Sequence, residues 1–411
     1  MIIPFQNKRI VLGVTGSIAV YKSVELASRL TQAGSLVDVI LTHSASEFVT
    51  PLTFQSVTGQ PAYTDNDLWG SQGHILHIGL AKDAQQMVIA PITANTIAKL
   101  AHGLADNLLT VTALAARCPI LIAPAMDGGM YAHPATQANL ETLKKRDATI
   151  IGPAEGHLAS GMMGIGRMVE PGELLGHLRY QMSRRGPLRK KKIVVTAGGT
   201  FEPIDLVRGM TNRSSGKQGF AIAQAAIDHG ADVILIAGKN HLPIPIGAEY
   251  YQVNTAEEML AAVLDAIPHA SALVMAAAVA DFRPAIAAKE KIKKASGFTT
   301  LSLEVTTDIL SAVAELKSKS GFPEITVGFA AESQNLLENA KQKLEAKKLD
   351  LIIANDISAS DAGFEVDTNR VFLLDAGGGK EELPLMGKDE VARFVLERVI
   401  GLLGLARSDV F

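Results

Sequence analysis

Residues 212–217 have the composition of an anion-binding loop. They read Asn-Arg-Ser-Ser-Gly-Lys and follow the glycine-containing turn 196–200, which comes directly after the apolar segment 193–195. Backbone N–H groups, small hydroxyls and one lysine at the start of a helix are groups that bind phosphate. The loop is not a Walker motif, because its Gly-Lys pair is followed by Gln218 and its glycine spacing differs. We therefore predict a site for an anionic ligand; the alternative is a solvated Ser/Gly loop.

A second turn with similar chemistry lies near the N-terminus. Residues 13–22 read Gly-Val-Thr-Gly-Ser-Ile-Ala-Val-Tyr-Lys and follow an apolar strand, but the G-x-G-x-x-G spacing of a dinucleotide loop is absent. The phosphate of another nucleotide therefore fits this turn better. Residues 91–96 also follow a strand and offer hydroxyl and amide groups near the same edge. His77 precedes that strand, and a single histidine there is either structural or catalytic.

Apolar segments alternate with helical patterns along the whole chain. Strands are predicted at 9–14, 37–41, 86–90, 120–123, 193–195, 232–236, 273–275, 326–329 and 351–354. Helices are predicted at 21–33, 94–103, 106–116, 217–229, 256–267, 308–318 and 334–348. This alternation predicts an α/β protein with two tandem doubly wound parallel-sheet (Rossmann-like) domains, whose ligands lie where the strands end.

Length and composition limit the class of protein. At 411 residues, with 47% hydrophobic and 20% charged residues, the chain is expected to fold into about two to three domains. A net charge of -3 gives no basic surface for nucleic acid, and no apolar run reaches the ~20 residues of a membrane helix. The only cysteine, Cys118, excludes an intrachain disulfide. We expect a cytoplasmic protein without nucleic-acid or membrane partners.

A change of composition near residue 183 predicts the domain boundary. Residues 183–192 contain six basic residues and a Gly-Pro pair, which is typical of an exposed linker. The expected domains are therefore 1–182 and 193–411, joined by the basic segment 183–192.

The first half contains motifs that occur in a fixed order, at 13–19, 42–48, 77–81, 90–96, 123–126 and 164–168. Between residue 9 and about residue 175 they resemble the flavin-dependent cysteine decarboxylases. The resemblance implies a flavodoxin-like domain that binds FMN through Gly16, Ser17, Ile18, Ala19, Thr42, Thr93, Ala94, Asn95 and Thr96. It also implies that the flavin oxidises a cysteine thiol to a thioaldehyde, after which carbon dioxide leaves, and that His77 is the active-site histidine.

Two positions in the first half depart from that family's pattern. The family's Pro-x-Met-Asn-x-x-Met-Trp retains Met126 and Met130, but Asp127 replaces an asparagine that contacts the substrate carboxylate. An ionised aspartate would repel that carboxylate, so it must be protonated, paired with a cation or redirected. Ser160 replaces a cysteine proton donor, and a hydroxyl is a far weaker acid than a thiol. Decarboxylation with another donor such as Asp127, arrest at the oxidised enethiol, and flavin binding without turnover all stay open.

The second half contains another ordered set of motifs, at 196–205, 212–217, 276–281, 291–294, 328–332 and 354–356. From residue 191 to about residue 397 they resemble phosphopantothenate–cysteine ligase. Two such domains in this order occur in the bifunctional proteins of bacterial coenzyme A biosynthesis. The resemblance implies that phosphopantothenate attacks the α-phosphate of CTP to give an acyl-cytidylate, from which the amine of cysteine displaces CMP. Lys291 matches the residue for the first step and Asn212 the residue for the second.

The ligase resemblance implies further contacts with substrate or CTP. They fall on Ser214, Ser215, Gly216, Lys217, Met275, Ala276, Ala277, Asp281, Thr307, Asp308, Ile309, Leu310, Phe329, Lys343 and Lys347. Lys343 and Lys347 are four residues apart, so one helix face would present both to a triphosphate. Mg²⁺ is implied by the triphosphate, without assigned protein ligands. The family's Asn-Pro-Asp-Ile reads Thr-Thr-Asp-Ile at 306–309, and we expect the ligase to be intact. The fused arrangement favours CTP over ATP.

The resemblances also imply assembly into homo-oligomers. Trimers would form through the flavin domain and dimers through the ligase domain, which together give a dodecamer, with sites completed across subunits. One rival interpretation is an NAD-dependent dehydrogenase, which the missing dinucleotide motif disfavours. Another is an active ligase whose first half is impaired or only binds flavin.

Overall fold

A computed structural model of the chain describes residues 4–69, 73–159, 161–293, 300–332, 335–356 and 366–405. The chain forms two compact units, Ile3–Met182 and Ser183–Phe411. Among the described residues, no helix combines the length and the apolar character that crossing a membrane requires.

Parallel strands form the central sheet of the N-terminal unit. They are β1 (Arg9–Val14), β2 (Leu36–Leu41), β3 (Ala62–Tyr63), β4 (Gln86–Ile92), β5 (Ile120–Pro124) and β6 (Thr149–Ile150). The strand order β3-β2-β1-β4-β5-β6 reverses direction between β1 and β4. In doubly wound sheets such a reversal opens a crevice at the carboxyl ends of the strands, where ligands bind.

Helices cover both faces of this sheet. They are α1 (Val20–Gln32), α2 (His43–Ser46), α3 (Pro51–Thr58), α4 (Gly73–Asp83), α5 (Ala94–His102), α6 (Leu108–Ala115), α7 (Gly128–Ala132), α8 (Pro134–Lys144) and α9 (Pro171–Ser183), with a 3₁₀ helix at Asp65–Trp69. Leu26 of α1, Phe54 of α3 and Leu174 of α9 belong to one buried cluster. Ile97 of α5 and Leu109 of α6 belong to another. An antiparallel hairpin of β7 (Ala154–His157) and β8 (Met163–Arg167) lies outside the sheet.

The C-terminal unit contains a larger, mixed sheet. Its strands are β9 (Lys192–Ala197), β12 (Asp232–Ala237), β13 (Ala248–Gln252), β14 (Ala272–Met275), β17 (Ile325–Glu332), β18 (Leu351–Asp356), β19 (Thr368–Asp375) and β20 (Lys380–Gly387). The order is β13-β12-β9-β14-β17-β18-β19-β20, and pairing is parallel as far as β18. Two short hairpins stand apart: β10 (Phe201–Pro203) with β11 (Gly209–Thr211), and β15 (Phe282–Pro284) with β16 (Leu303–Val305).

The helices of this unit also lie on two faces of the sheet. They are α10 (Lys217–Asp228), α11 (Ala256–Ala266), α12 (Ile309–Ser320), α13 (Leu336–Ala346) and α14 (Lys388–Leu402). Met259 of α11, Val313 of α12 and Ala340 of α13 share one buried cluster. α10 packs against β9, β12 and α14, and α14 packs against β19 and β20. Because strand residues alternate between faces, α10 and α14 cover the face opposite α11–α13.

The predicted α/β class with parallel sheets is confirmed, with two differences in the C-terminal unit. β19 and β20 pair antiparallel and extend the sheet beyond the last strand that the sequence predicted. Helix α14 follows β20 and was not predicted either. The segment 183–192 does not behave as the exposed linker that its charge predicts. Leu188 is buried and its amide donates to the carbonyl of His229 (2.8 Å), while Arg184 pairs with Asp232 at 2.9 Å.

Candidate functional sites

The carboxyl ends of β1, β2 and β4 bring together segments predicted to bind a cofactor. Residues 16–19 follow β1, Thr42 follows β2 and Thr93 follows β4. β1 is hydrogen-bonded to both other strands, so these turns are neighbours. Thr42 accepts a hydrogen bond from the amide of Ala45 (3.3 Å), and Thr93 accepts one from the amide of Thr96 (3.4 Å). Each threonine therefore caps a helix that begins at this edge of the sheet.

Thr15 connects the loop after β1 to the loop after β4. Its hydroxyl donates to the carbonyl of Pro91 (2.9 Å) and accepts from the amide of Thr93 (3.0 Å). Gly16 passes close to α2, because a Cβ on Gly16 would lie 2.5 Å from the Cβ of Ser44. A larger residue would push the loop away from α2, so close packing fixes glycine here.

A cavity of about 350 Å³ opens beside these loops. The predicted residues in its lining are Gly16, Ser17, Ile18, Ala19, Thr93, Met126, Asp127 and Met130. The predicted residues Thr42, Ala94, Asn95 and Thr96 lie at the same strand ends, outside this lining. The combination of a mostly apolar lining with a few hydroxyl and charged groups is typical of a cofactor site.

The β7–β8 hairpin contributes lining residues that the sequence did not predict. His157 and Leu158 lie at the end of β7, and Gly166 and Arg167 lie in β8. The amide of Met126 donates to the carbonyl of Gly166 (3.0 Å), which joins the hairpin to the loop after β5. These strands are short and largely exposed, so the sequence has little of the apolar alternation that identifies a strand.

Asp127 begins the short helix α7. Its carboxylate accepts a hydrogen bond from the amide of Gly129 (2.9 Å) while the residue lines the cavity. Of the three possibilities for this aspartate, redirection toward a backbone amide agrees with the contact. Lys22 and Arg167, two cations of the same cavity, contact Glu170, whose carboxylate lies 2.8 Å from Lys22 and 3.3 Å from Arg167.

His77 lies on α4 and does not line the cavity. Its side chain is half-buried, and its Nδ1 atom is buried with no hydrogen-bond partner among the residues that the structure describes. A buried ring nitrogen of this kind requires an explanation, such as a ligand or a neighbouring molecule. Ser160, the other predicted catalytic residue of this half, lies outside the described residues.

A second cavity, of about 520 Å³, lies at the carboxyl edge of the C-terminal sheet. The predicted residues that line it are Asn212, Ser214, Ser215, Gly216, Lys217, Met275, Ala276, Ala277, Asp281, Thr307, Asp308, Ile309, Leu310, Phe329 and Lys343. Lys291 and Lys347 are outside the lining. Asn355, Asn369 and Lys388 also line it and were not predicted. Asn355 follows the predicted strand 351–354 but was given no role, and the sequence analysis recognised neither β19, which carries Asn369, nor α14, which carries Lys388.

The start of α10 presents backbone amides to this cavity. Gly216 precedes the helix in a left-handed conformation (φ 77°), and no side chain caps the helix there. A Cβ on Gly219 would lie 2.5 Å from the Cβ of Ala197, so glycine allows α10 to pack closely on β9. The first amides of a helix lack partners within the helix and favour an anionic ligand.

Asn212 is bound to the loop that follows β14. Its Nδ2 atom donates to the carbonyls of Ala278 (3.1 Å) and Val279 (3.0 Å). The amide of Ala278 in turn donates to the carbonyl of Gly198 (2.8 Å). Both N–H bonds of the Asn212 side chain are therefore engaged, and donation to a reacting oxygen requires that one of them be released.

The two lysines predicted on one face of α13 have different surroundings. Lys343 donates to the carbonyl of Phe329 (3.2 Å) inside the cavity lining, whereas Lys347 lies 3.1 Å from the Asp308 carboxylate. Asp308 caps α12 by accepting from the Ser311 amide (2.6 Å). Partial burial raises the pKa of Asp308, but hydrogen bonds from Ser311 and Lys347 outweigh it and hold that pKa below its usual value. Lys347 thus supports Asp308, and Lys343 faces the ligand space.

Lys291 is exposed, and Asp205 anchors the residue next to it. The buried Asp205 carboxylate accepts from the amides of Val207 (2.8 Å), Arg208 (2.8 Å) and Ile292 (3.1 Å). The guanidinium of Arg208 donates both to that carboxylate (2.6 Å) and to the carbonyl of Ile292 (2.6 Å). The backbone after Lys291 is therefore held from both sides.

No group of three or more His, Cys, Asp or Glu side chains among the described residues could hold a metal ion.

Comparisons with known proteins establish the family. A family model described as "Flavoprotein" matches residues 4–183, and one described as "DNA/pantothenate metabolism flavoprotein C-terminal domain" matches residues 188–402. The coenzyme A biosynthesis bifunctional protein CoaBC of Bacillus subtilis is 45% identical over 399 residues, covering 96% of this chain and 97% of that protein. The chain belongs to this family of bifunctional proteins. CoaBC of Vibrio cholerae is 43% identical over 395 residues, covering 96% of this chain and 98% of that protein.

Solved structures of related proteins match single domains. The crystal structure of the C-terminal domain of CoaBC is 38% identical, with a TM-score of 0.46, and covers 53% of this chain and 98% of that one. The structure of a PPC decarboxylase mutant complexed with pantothenoylaminoethenethiol is 35% identical, with a TM-score of 0.39, and covers 42% and 97%.

Family membership confirms both resemblances seen in the sequence. The chain is a bifunctional enzyme of coenzyme A biosynthesis, with a flavin-dependent decarboxylase domain followed by a ligase domain. Neither the dehydrogenase interpretation nor the interpretation with an impaired first half is favoured.

Proposed function

We propose that the C-terminal domain joins phosphopantothenate to cysteine with CTP, and that the N-terminal domain decarboxylates the product to phosphopantetheine with FMN. The observation that carries the proposal is a cavity at the carboxyl edge of each sheet, lined by Ser17, Thr93 and Asp127 in the N-terminal unit and by Asn212, Asp281 and Lys343 in the C-terminal unit. The full-length match to CoaBC proteins supports the pairing of both activities in one chain.

The ligase chemistry requires an activated carboxylate. Attack on the α-phosphate of CTP gives an acyl-cytidylate and pyrophosphate, and the cysteine amine then displaces CMP. Lys291 would neutralise negative charge in the first step, and Asn212 would donate an N–H to the tetrahedral oxyanion in the second. Ser214, Ser215 and the first amides of α10 would hold phosphate oxygens.

The nucleotide would occupy the side of the cavity formed by α12 and α13. Asp281, residues 307–310, Phe329 and Lys343 line that side and support this placement. Mg²⁺ would be held mainly by the triphosphate and water, and the cavity lining also contains the carboxylates of Asp281 and Asp308.

The residues of the N-terminal cavity fit FMN. Ile18, Met126 and Met130 provide apolar surface for a flavin ring, while Ser17 and Thr93 provide small polar groups at helix starts. Bound FMN would supply the two-electron oxidation of the substrate thiol that allows carbon dioxide to leave. The protein's part is to position the substrate carboxylate and to exclude water.

Exposed apolar side chains support assembly into homo-oligomers. Ile75 and Ile78 flank His77 on α4 and are exposed, as are Ile18 and Met130 beside the cavity. In a trimer of flavin domains, His77 of one copy would complete the cavity of another. Dimers through the ligase domain, and a dodecamer that combines both contacts, are part of the same proposal, as is a cytoplasmic location.

The test is the reaction of the purified chain with phosphopantothenate, cysteine and CTP. We expect pyrophosphate, CMP, carbon dioxide and phosphopantetheine in equal amounts, and a bound chromophore with FMN absorbance. A product that stops at the ligated acid would contradict the decarboxylase half. Replacing CTP with ATP tests which nucleotide the ligase uses. If no pyrophosphate forms with either nucleotide, the ligase half of the proposal is contradicted.

Asp127→Asn should strengthen binding of the decarboxylase substrate. Asparagine caps a helix as well as aspartate does, so α7 should be retained. Removing a negative charge near the substrate carboxylate should lower the KM for phosphopantothenoylcysteine about fivefold to tenfold, which corresponds to ~1 kcal/mol for charges close together in water. Initial rates of carbon dioxide release against substrate concentration measure the change, with an unchanged Tm as the control. An unchanged KM would mean that the carboxylate binds elsewhere.

A further inference from the structure

The described lining of the N-terminal cavity contains no thiol that could donate a proton. The chain has one cysteine, Cys118, and Ser160 stands at the position of the family's donor. Cys118 precedes β5, whereas Ala125, Met126 and Asp127 of the cavity lining follow that strand or end it. The five residues of β5 span about 16 Å, so Cys118 lies at the opposite edge of the sheet. The last step of decarboxylation therefore needs another acid.

The β7–β8 hairpin packs directly on the loop that follows β5. The amide of Met126 donates to the carbonyl of Gly166 (3.0 Å). A Cβ on Gly128 would lie 2.9 Å from the carbonyl oxygen of Ile165, so the two backbones are in contact there as well. His157, at the end of β7, therefore faces the same cavity as the substrate contacts predicted on that loop.

His157 has the properties that the missing acid requires. It lines the cavity together with Leu158 and Ala159, and it is exposed. Within the described part of the chain, its ring makes no hydrogen bond or ion pair that would hold its proton. Histidine is the side chain whose charge normally changes between about pH 5 and pH 8, so an imidazolium can give up a proton near neutral pH. An exposed ring can then regain that proton from water.

Two other groups of the lining are less suited to donate a proton. The Asp127 carboxylate accepts a hydrogen bond from the Gly129 amide (2.9 Å), so the start of α7 uses it as an acceptor. The hydroxyl of Tyr21 is a phenol, which is a far weaker acid than an imidazolium. The rate of general acid catalysis follows the strength of the acid, so a phenol would transfer its proton to carbon slowly.

The two cations of the lining hold the hairpin in place. The Lys22 ammonium is buried and donates to the carbonyl of Met168 (2.8 Å) and to the carboxylate of Glu170 (2.8 Å). Arg167 donates to the same carboxylate (3.3 Å), and a guanidinium does not lose its proton in proteins. These contacts fix the end of β8 to α1, which leaves His157 as the acid of the lining.

We propose that His157 is the acid that completes decarboxylation in this chain. This inference rests on the proposed function, in which loss of carbon dioxide leaves an enethiolate. The imidazolium gives its proton to the carbon that lost carbon dioxide, which converts the enethiolate to a thioaldehyde. The two electrons removed in the oxidation return from the flavin to the thioaldehyde carbon as a hydride, and the thiolate of phosphopantetheine results. The imidazole then takes up a proton from water.

The test compares His157→Gln with the unaltered full-length holoenzyme in a single turnover of phosphopantothenoylcysteine. Oxygen is excluded, because it would reoxidise the flavin. Glutamine keeps a polar side chain but cannot act as an acid, so carbon dioxide should appear at the unaltered rate while formation of phosphopantetheine slows about 100- to 10,000-fold. The absorbance of the bound flavin should stay that of the reduced form. Mass spectrometry should detect an enethiol that is two hydrogen atoms lighter than phosphopantetheine.

Two further variants make the result specific to an acid at this position. His102→Gln, at an exposed histidine of α5 outside the cavity lining, is the matched control and should behave as the unaltered enzyme. Adding Ser160→Cys to His157→Gln should restore formation of phosphopantetheine, because a thiol at that position is the donor that the family resemblance implies.

Three outcomes would overturn the proposal. The first is phosphopantetheine formed by His157→Gln at the unaltered rate. The second is an equal slowing of carbon dioxide release and phosphopantetheine formation, which would indicate a role in binding or folding. The third is an unaltered enzyme that itself stops at the lighter product. If the unaltered enzyme releases no carbon dioxide, the proposed decarboxylase function fails, which is a different result.

Discussion

An Asn212→Asp variant is expected to release pyrophosphate from CTP and phosphopantothenate while forming almost no amide. The variant keeps the size of the side chain but loses the N–H donors that the proposed second step needs. Removing one oxyanion donor typically slows acyl transfer about 100- to 1,000-fold, and we expect a loss of that size in CMP release. Rapid quenching with separate assays of pyrophosphate and CMP would show the acyl-cytidylate as the difference between them.

A second substitution separates loss of the donor from gain of charge. In Asn212→Asp a carboxylate would face the carbonyls of Ala278 and Val279, which now accept hydrogen bonds from the amide. Asn212→Ala removes the donor without adding that repulsion, so it should show the same excess of pyrophosphate over CMP. CMP release at the normal rate in both variants would exclude Asn212 from the second step.

A His77→Asn variant should stop decarboxylation and leave ligation intact. Positioned acid–base groups typically contribute about 100- to 10,000-fold, and we expect carbon dioxide release to fall within that range. The flavin should stay bound, because the loops that line the cavity come from other elements than α4. When phosphopantothenate is supplied with CTP and cysteine, the ligated acid, phosphopantothenoylcysteine, should then accumulate.

Controls make the His77 result specific. Normal FMN absorbance and normal pyrophosphate release show that both domains are folded. Mixing His77→Asn with Gly16→Arg, which has no room beside Ser44, should restore part of the decarboxylation if subunits share sites. Carbon dioxide release within about threefold of the unaltered enzyme would exclude an essential acid–base role for His77.

The sequence predicted those parts of the sites that follow buried parallel strands. The predicted strand 9–14 coincides with β1 (Arg9–Val14), and the turns after β1 and β4 form the cavity edge. These strands are short apolar runs bounded by Gly, Pro or Thr, a pattern that the local sequence determines. For the same reason the sequence also predicted the residues after β9 and β14 that line the ligase cavity.

The parts that were missed depend on contacts between distant segments. Lys388 lines the ligase cavity only because the β19–β20 hairpin returns α14 to α10, and β19 is antiparallel with alternating burial. The β7–β8 hairpin has mostly exposed strands, so no apolar pattern indicated it. The different roles of Lys343 and Lys347 arise from the position of Asp308 on a neighbouring helix, which spacing within α13 does not reveal.

The Asp205 anchor of the backbone after Lys291 determines the pH range over which this segment stays in place. Burial raises the pKa of Asp205, but hydrogen bonds from the amides of Val207, Ile292 and Arg208 outweigh it and hold that pKa well below its usual value. Because the pKa is lower in the folded protein than the ~3.9 of an unfolded aspartate, the stabilisation is complete above that value and is lost only as pH falls through the lowered pKa. Between about pH 5 and pH 8 the segment therefore keeps its anchor, and a decline of ligation on mild acidification would come from another group, such as the cysteine amine, which must be unprotonated to attack.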